Sequence, residues 1–211
     1  MFRDALSQKI MRSSRGMEFQ NKSDFLAAVT LRPATIDDLS SIRYVHMTSF
    51  RILAAEHHSE NEIQARVEDI LRTEYFEEIL EADLYCAVVD NEIVGTGGWC
   101  PADDNGATAR IRKIFVRPLF TSCGIGRLLV EAAEERARRA GFNELTTRAN
   151  INSVAFFEHL NFEISSYGVM PTRSGVDLPV AFMRKRSALQ LEEQMQKRKL
   201  TPVSRDGWWS H

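Results

Sequence analysis

The chain has 211 residues, 44% of them hydrophobic, which is enough for one sizeable core with extensions. Its formal charge of -2 carries no polyanion signature, so nucleic acid is not expected as a partner. Three cysteines at irregular spacing argue against a disulfide framework or a zinc site, and no apolar run approaches the roughly 20 residues of a membrane span. A reducing, cytoplasmic setting without membrane or metal is the expectation.

Residues 1–28 are polar and mildly basic. Arg3, Lys9, Arg12 and Arg15 occur without the apolar segment of a secretory signal, so these residues read as an N-terminal extension, a mobile arm or one with a short helix. Residues 29–33 alternate apolar and polar and predict a first strand. Thr35-Ile-Asp-Asp38 has the spacing of a capping box and opens a helix with Ile36, Leu39 and Ile42 on one face. Ser59-Glu-Asn-Glu62 repeats the device; Ile63, Val67, Ile70, Leu71, Phe76 and Ile79 then recur at helical spacing and predict a single helix. Between the two, Glu56, His57 and His58 are adjacent but lack further ligands at usable spacing, which favours a solvated loop over a metal site.

Residues 84–89 and 93–100 flank Asp90-Asn91-Glu92 and predict a tight hairpin, with Cys86 and Cys100 as small buried hydrophobes. Asp103-Asp-Asn-Gly106 is the next turn, and residues 109–116 form a strand. Arg110 and Arg112 share one face of it; bordering a cleft they would favour an acceptor bearing a carboxylate or phosphate, and otherwise they pair with acidic neighbours. Pro118 stops the strand, and Gly124 and Gly126 open a long helix. Unpaired helix-start amides, the helix dipole, the hydroxyls of Thr121 and Ser122, and Arg127 at the rim together suit a phosphate or pyrophosphate. A Walker loop is excluded, because no Gly-Lys-Ser/Thr occurs, and the dinucleotide fingerprint lacks its third glycine, where Leu129 stands. Cys123 at the helix start is either a reactive thiol or a small residue lying under the ligand.

The helix after Gly124 carries an apolar stripe from Ile125 to Ala140. Glu134–Arg138 and Glu135–Arg139 are expected as exposed pairs, and Gly141 as its left-handed end. Residues 144–149 form a strand parallel to the one before the helix. Asn152 is expected to cap a short helix ending near Asn161, and residues 162–169 and 178–184 are the last strands. Residues 187–211 read as a helical tail; Trp208 and Trp209 are expected to dock on this domain or on a partner subunit, as in a homodimer.

The run Ile114-Phe-Val-Arg-Pro, the loop, Gly-Ile-Gly-Arg-Leu-Leu and Arg-Ala-Gly-Phe142 resembles motif A of the GNAT superfamily of N-acetyltransferases. Asn152-Ser-Val-Ala-Phe-Phe-Glu-His-Leu-Asn-Phe162 resembles that family's next signature, in the same order and at similar spacing. The resemblance implies an α/β domain over residues 29–186: a GNAT-like acyl-CoA N-acyltransferase fold with a central mixed twisted sheet of about seven strands and helices on both faces. It implies acetyl-CoA as cosubstrate, with the diphosphate held by Thr121, Ser122, Cys123, Gly124, Ile125, Gly126 and Arg127. The pantetheine arm would lie along Ile114, Phe115 and Val116, whose edge is opened where two strands splay, and Asn152 and Phe157 would also border the cofactor. A backbone N–H there would stabilise the oxyanion, an effect on the order of 3 kcal/mol. The acceptor would be a small-molecule or peptide amine, with Arg110, Arg112 and His58 as substrate contacts.

Four positions depart from the family pattern. Thr121 stands for the usual Arg or Gln of the loop, Arg110 for a Glu that serves some members as base, Phe157 for the Tyr that protonates the leaving thiolate, and Asn161 for a Gly. Water or Tyr167 would then be the acid, and the base a water chain, unless the acceptor amine has a low pKa. The alternative is a non-catalytic acyl-CoA-binding module, and a third reading is a partner-binding protein working through its C-terminal tail.

Overall fold

The computed structural model describes residues 22–102 and 108–186. The expected turn at 103–106, residues 1–21 of the extension and the whole C-terminal tail lie outside the described residues. Within the extension, helix α1 (Lys22–Ala27) docks on the domain: Phe25 is buried and its ring stacks on Phe120 at 5.9 Å. Residues 22–27 thus form the short helix that was one of the two expectations for the extension.

Strand β1 (Thr30–Pro33) leads into a single turn, Ile36–Asp38, ahead of helix α2 (Leu39–Leu53). Asp38 organises this corner. Its carboxylate accepts from the Thr35 N–H and hydroxyl, 2.9 Å each, and from the Arg32 guanidinium at 2.6 and 2.8 Å. Ile36, expected on the buried face, is 70% exposed because this first turn is 3-10 and its side chain points off the stripe. The second capping box opens helix α3 (Glu60–Leu71), with Ser59 N–H donating to Glu62 at 2.7 Å and Glu62 N–H donating back at 3.3 Å.

The single helix expected after Ser59 is two. Arg72 is extended (ψ 155), and helix α4 runs Glu74–Leu80. The break is held from both sides: Arg72's carbonyl accepts from Arg43 at 2.8 Å, and its guanidinium pairs with Glu74 at 2.6 Å. The kink turns Tyr75 and Ile79 into the core and leaves Leu71 half exposed.

The hairpin of β2 (Asp83–Val89) and β3 (Glu92–Pro101) closes on Asp90 and Asn91, both at positive φ, as a two-residue turn of this kind requires. Then follow β4 (Thr108–Val116), α5 (Ile125–Arg139), β5 (Glu144–Asn150), α6 (Val154–Glu158), β6 (Glu163–Pro171) and β7 (Asp177–Arg186). Among the described residues these strands form one seven-stranded sheet, ordered β1-β2-β3-β4-β5-β7-β6, in which only β4 and β5 pair in parallel. The period of two distributes the core across both faces. Leu84 and Cys86 pack with Ile42 and Val45 of α2, while Ala87 and Val89 pack with Ile125 and Leu129 of α5. No helix among the described residues is long and apolar enough to cross a membrane.

One local expectation changes. Glu134 does pair with Arg138, at 3.5 Å, but it is buried and not exposed, because the helix flank packs on the sheet and Lys185 of β7 also donates to it at 2.8 and 2.9 Å. Glu135–Arg139 does pair on the exposed face. On β3, a Cβ at Gly98 would lie 2.5 Å from the Asp83 carbonyl oxygen, so β2 and β3 can approach this closely only with glycine there. Gly98→Ala is expected to lower unfolding stability by about 1–3 kcal/mol, read as a lower urea midpoint at unchanged slope.

Candidate active site

Strand β4 is regular at its start and irregular at its end. Its parallel pairing with β5 runs from Thr108 opposite Glu144 to Ile111 opposite Thr147 and stops there. On the other edge Thr96 faces Phe115 and Gly98 faces Arg112, so Gly97 alone faces the two residues between. This is a β-bulge, and Lys113 adopts φ 57 within it. From Arg112 onward the edge toward β5 is open, and a cleft of about 550 Å³ lies there.

A chain of buried hydrogen bonds fixes the bulge from beneath. Thr96 donates its hydroxyl to the Lys113 carbonyl at 2.8 Å. His46 is fully buried, with Nε2 2.7 Å from that hydroxyl oxygen and Nδ1 2.7 Å from the Tyr75 hydroxyl. Because the Thr96 proton is committed, Nε2 carries the histidine proton, and Tyr75 donates to Nδ1. The protonation states agree: burial, reinforced by Lys113 and Arg66, holds His46 well below its ordinary pKa, and burial raises the Tyr75 phenol to about 12. The His46 ring stacks on Phe115 at 4.2 Å, so the same residue braces the strand edge.

The cleft wall is strongly cationic. Arg66, Arg72, Arg110, Arg112, Arg148, Arg173 and Lys113 line it, against Asp69 and Glu78. Arg112 and Lys113 lean on Glu78, at 3.4 and 2.7 Å, and Arg72 on Glu74. Among the described residues Arg110 has no acidic partner; burial and then Arg148 lower its pKa. The expected shared face of Arg110 and Arg112 does border the cleft, and Arg112 also makes the acidic pairing that was its other expectation.

The loop after β4 starts with a turn, Pro118–Phe120, and Thr121 donates its hydroxyl to the Pro118 carbonyl at 2.9 Å. That proton is therefore spent within the loop, although the oxygen's lone pairs remain. Ser122 (φ 62) and Gly124 (φ 97) are left-handed, which bends the chain into the start of α5. Among the described residues, the amides of residues 122–127 donate to no protein acceptor. Such a run of unpaired donors at a helix start suits an anion. Helix α1 lies alongside it: a Cβ at Gly124 would sit 3.0 Å from a Leu26 methyl and 3.4 Å from the Lys22 Cε. Cys123 is not an activated thiol, because its burial raises its pKa and outweighs the opposing influence of Lys22. Arg127 stays half exposed at the rim, 3.5 Å from Glu131.

The remaining expected residues separate into two groups. Ile114, Phe115 and Phe157 line the cleft; Phe157 is buried between the rings of Phe156 and Phe162. Val116 ends the strand, with its carbonyl taken by Ser49 at 2.9 Å, and Ile125 is buried and can offer only its backbone. Asn152 does not cap the helix, since Ser153 precedes α6; it donates instead to the Leu53 carbonyl at 3.0 Å, and its Oδ1 is buried without a partner among the described residues. An orphaned acceptor of this kind and a run of unpaired amides both fit a ligand with a diphosphate and amide groups, such as coenzyme A.

The loop 121–127, Val116 and Asn152 are not part of the cleft lining, although Gly126 sits against Val116 at the end of β4; His58 and Tyr167 also lie outside the cleft. His58 is buried, not solvated, because the apolar patch at Phe50 draws its ring in at 5.5 Å; burial lowers its pKa, and Glu62 stays 3.9 Å away. Tyr167 is 66% exposed on the edge strand β6. Sequence reading missed Lys113, Glu78, Tyr75 and the His46–Thr96 pair. One signal was present: Ala109 and Ile111 mark the buried face of β4, and Lys113 is the next residue in that register.

A family model described as the acetyltransferase (GNAT) family matches residues 48–162. An uncharacterised acetyltransferase of Streptococcus pyogenes serotype M1 is 33% identical over 86 residues, which is 40% of this chain and 58% of the relative. A relative from S. pyogenes serotype M3 is 31% identical over the same shares, so the chain spans well under two thirds of these curated proteins. Among solved structures, a GCN5-related N-acetyltransferase from Rhodopseudomonas palustris aligns at TM-score 0.66 and 20% identity, covering 75% of this chain and 95% of that one. PaiA N-acetyltransferase from Thermoplasma acidophilum, in complex with coenzyme A, aligns at 0.59 and 20% identity, covering 75% and 99%. These two show the shared fold.

His46 makes acid sensitivity predictable. Its folded pKa is depressed, so the unfolded chain, titrating near 6.5, binds the extra proton as pH falls; the stability it contributes is present above that pH and lost below it. Between pH 6.5 and 5.5 this residue alone should remove about 1 kcal/mol, measured by urea unfolding at the two pH values.

Proposed function

The chain belongs to the GNAT acetyltransferase family, and on that premise we propose that it transfers an acetyl group from acetyl-CoA to an amine that also bears a carboxylate or phosphate. The observation that carries the reading is the end of parallel pairing at Ile111, which leaves an open strand edge next to a run of unpartnered amides at the start of α5. When bound, acetyl-CoA supplies the activated acyl group and a leaving thiolate. The amides of residues 122–127 and Arg127 hold its diphosphate, the edge at Ile114 and Phe115 orders its amide-bearing arm by added-strand pairing, and Asn152 Oδ1 accepts from it. A backbone N–H near the bulge polarises the thioester carbonyl.

No acid is required at Phe157. A thiol with a pKa of about 8.5 leaves without prior protonation, and water delivers its proton, since Tyr167 stands outside the cleft. Arg110 and Arg148 recognise the acceptor's anionic group, because a charge-assisted bond there relieves the repulsion between two neighbouring guanidiniums. Residues 29–186 form the catalytic unit in this reading, and three free cysteines fit a reducing, cytoplasmic setting.

Two measurements test this. Acetyl-CoA should raise the melting temperature saturably, and Gly126→Val, which crowds the helix start and the Phe156 ring (3.2 Å from a Cβ there), should weaken that binding at least about tenfold; no shift at millimolar acetyl-CoA would remove the assignment. Arg110→Met should raise KM for β-alanine or O-phosphoethanolamine by about tenfold or more, and leave propylamine within about threefold. Thiol release separates turnover from a module that only binds.

A further inference from the structure

The cleft contains an ion pair that the reading above leaves idle. Lys113 projects from the bulge with its side chain 5% exposed, Nζ 2.7 Å from Glu78 Oε2 and 3.7 Å from the centre of the Tyr75 ring. Glu78 is half exposed on the cleft wall. Nothing in the packing requires a cation here, for the period of two assigns this position of β4 to the core, like Ala109 and Ile111. The chain nevertheless spends a left-handed backbone angle and a three-member buried relay (Tyr75, His46, Thr96) on holding this one residue in place. Building on the acetyltransferase reading, we propose that Lys113 and Glu78 are the proton acceptor of the reaction, with Lys113 Nζ deprotonating the incoming ammonium.

The charges around the lysine make this workable. Glu78 and Tyr75 reach it from α4, Arg66 from α3, Arg112 from β4, and neutral His46 lies beyond the ring. Burial first, then Arg66 and Arg112, against the pull of Glu78, bring Lys113 down to about 7, so a substantial fraction is neutral at physiological pH. An amine bound beside Lys113 passes one proton to Nζ, and the new Lys113 ammonium is stabilised by Glu78. The freed lone pair forms the C–N bond at the thioester carbonyl; the tetrahedral adduct breaks its C–S bond, and the second nitrogen proton goes through water to the thiolate. The products are the amide, the free thiol and one proton, which leaves from Lys113 through the exposed carboxylate to solvent.

The test is thiol release at saturating acetyl-CoA, from pH 5.5 to 9, with β-alanine, O-phosphoethanolamine and propylamine. The rate of the unsubstituted chain should fall on the acid side with a midpoint near 7. Lys113→Arg keeps the charge but cannot deprotonate, and should lose at least about thirtyfold in kcat at every pH with acetyl-CoA affinity within about twofold. Glu78→Gln has an exposed side chain and leaves the bulge alone; loss of its negative charge should move the acid midpoint downward by about one unit, which a structural role would not do. Full activity in Lys113→Arg, or an unmoved midpoint in Glu78→Gln, overturns the pair's role while leaving the transferase reading standing. No thiol release from the unsubstituted chain over the whole panel overturns the transferase reading, and the pair's role with it.

Discussion

Strand β4 cannot satisfy both neighbours along its whole length, and the site follows from how that conflict is resolved. On one side the bulge opposite Gly97 puts the strand out of phase with β3; on the other, β5 leaves after Ile111. Backbone groups released in a protein interior are costly unless they find partners. The fold supplies partners for some of them, with Thr96 on the Lys113 carbonyl and Ser49 on the Val116 carbonyl. What remains open is a short, rigid edge facing a cleft, able to take an extended ligand carrying amides.

The polar relay under that edge does more than fill hydrogen bonds. Its directions are set by the chemistry of its members: a phenol that stays protonated, a histidine held neutral by burial, and a hydroxyl with one proton to give. Each can point only one way, so the bulge is held in a single conformation. The same burial makes the relay a liability in acid, since a protonated His46 cannot accept from Tyr75.

Above the edge, cations outnumber anions. Glu78 and Asp69 relieve part of the repulsion, but Arg110 and Arg148 face each other without an acid among the described residues. An anionic group bound there would lower that electrostatic cost. Helix α1 places Leu26 and Lys22 against Gly124, so residues ahead of the matched span 48–162 help shape the turn into α5.

Local interactions were legible in the chain itself. Both capping boxes, the Asp90–Asn91 turn, the strand–helix–strand unit around Gly124 and Gly141 at positive φ each depend on residues a few positions apart, whose chemistry permits one backbone geometry. The two resembled signatures supplied the fold for the same reason: they sit on one contiguous segment. What only the tertiary structure decided are contacts between distant segments: the break at Arg72 held by Arg43, Glu134 drawn to Lys185, His58 pulled under Phe50, and Asn152 turned to Leu53. The pairing of Lys113 with Glu78 belongs there too, since 35 residues separate them; strand register marks the position as buried, but the charges of Glu78 and Arg66 reach the lysine only after packing. Spacing along a chain fixes hydrogen-bond geometry over a turn or two; desolvation and long-range charge exist only after packing has brought the segments together.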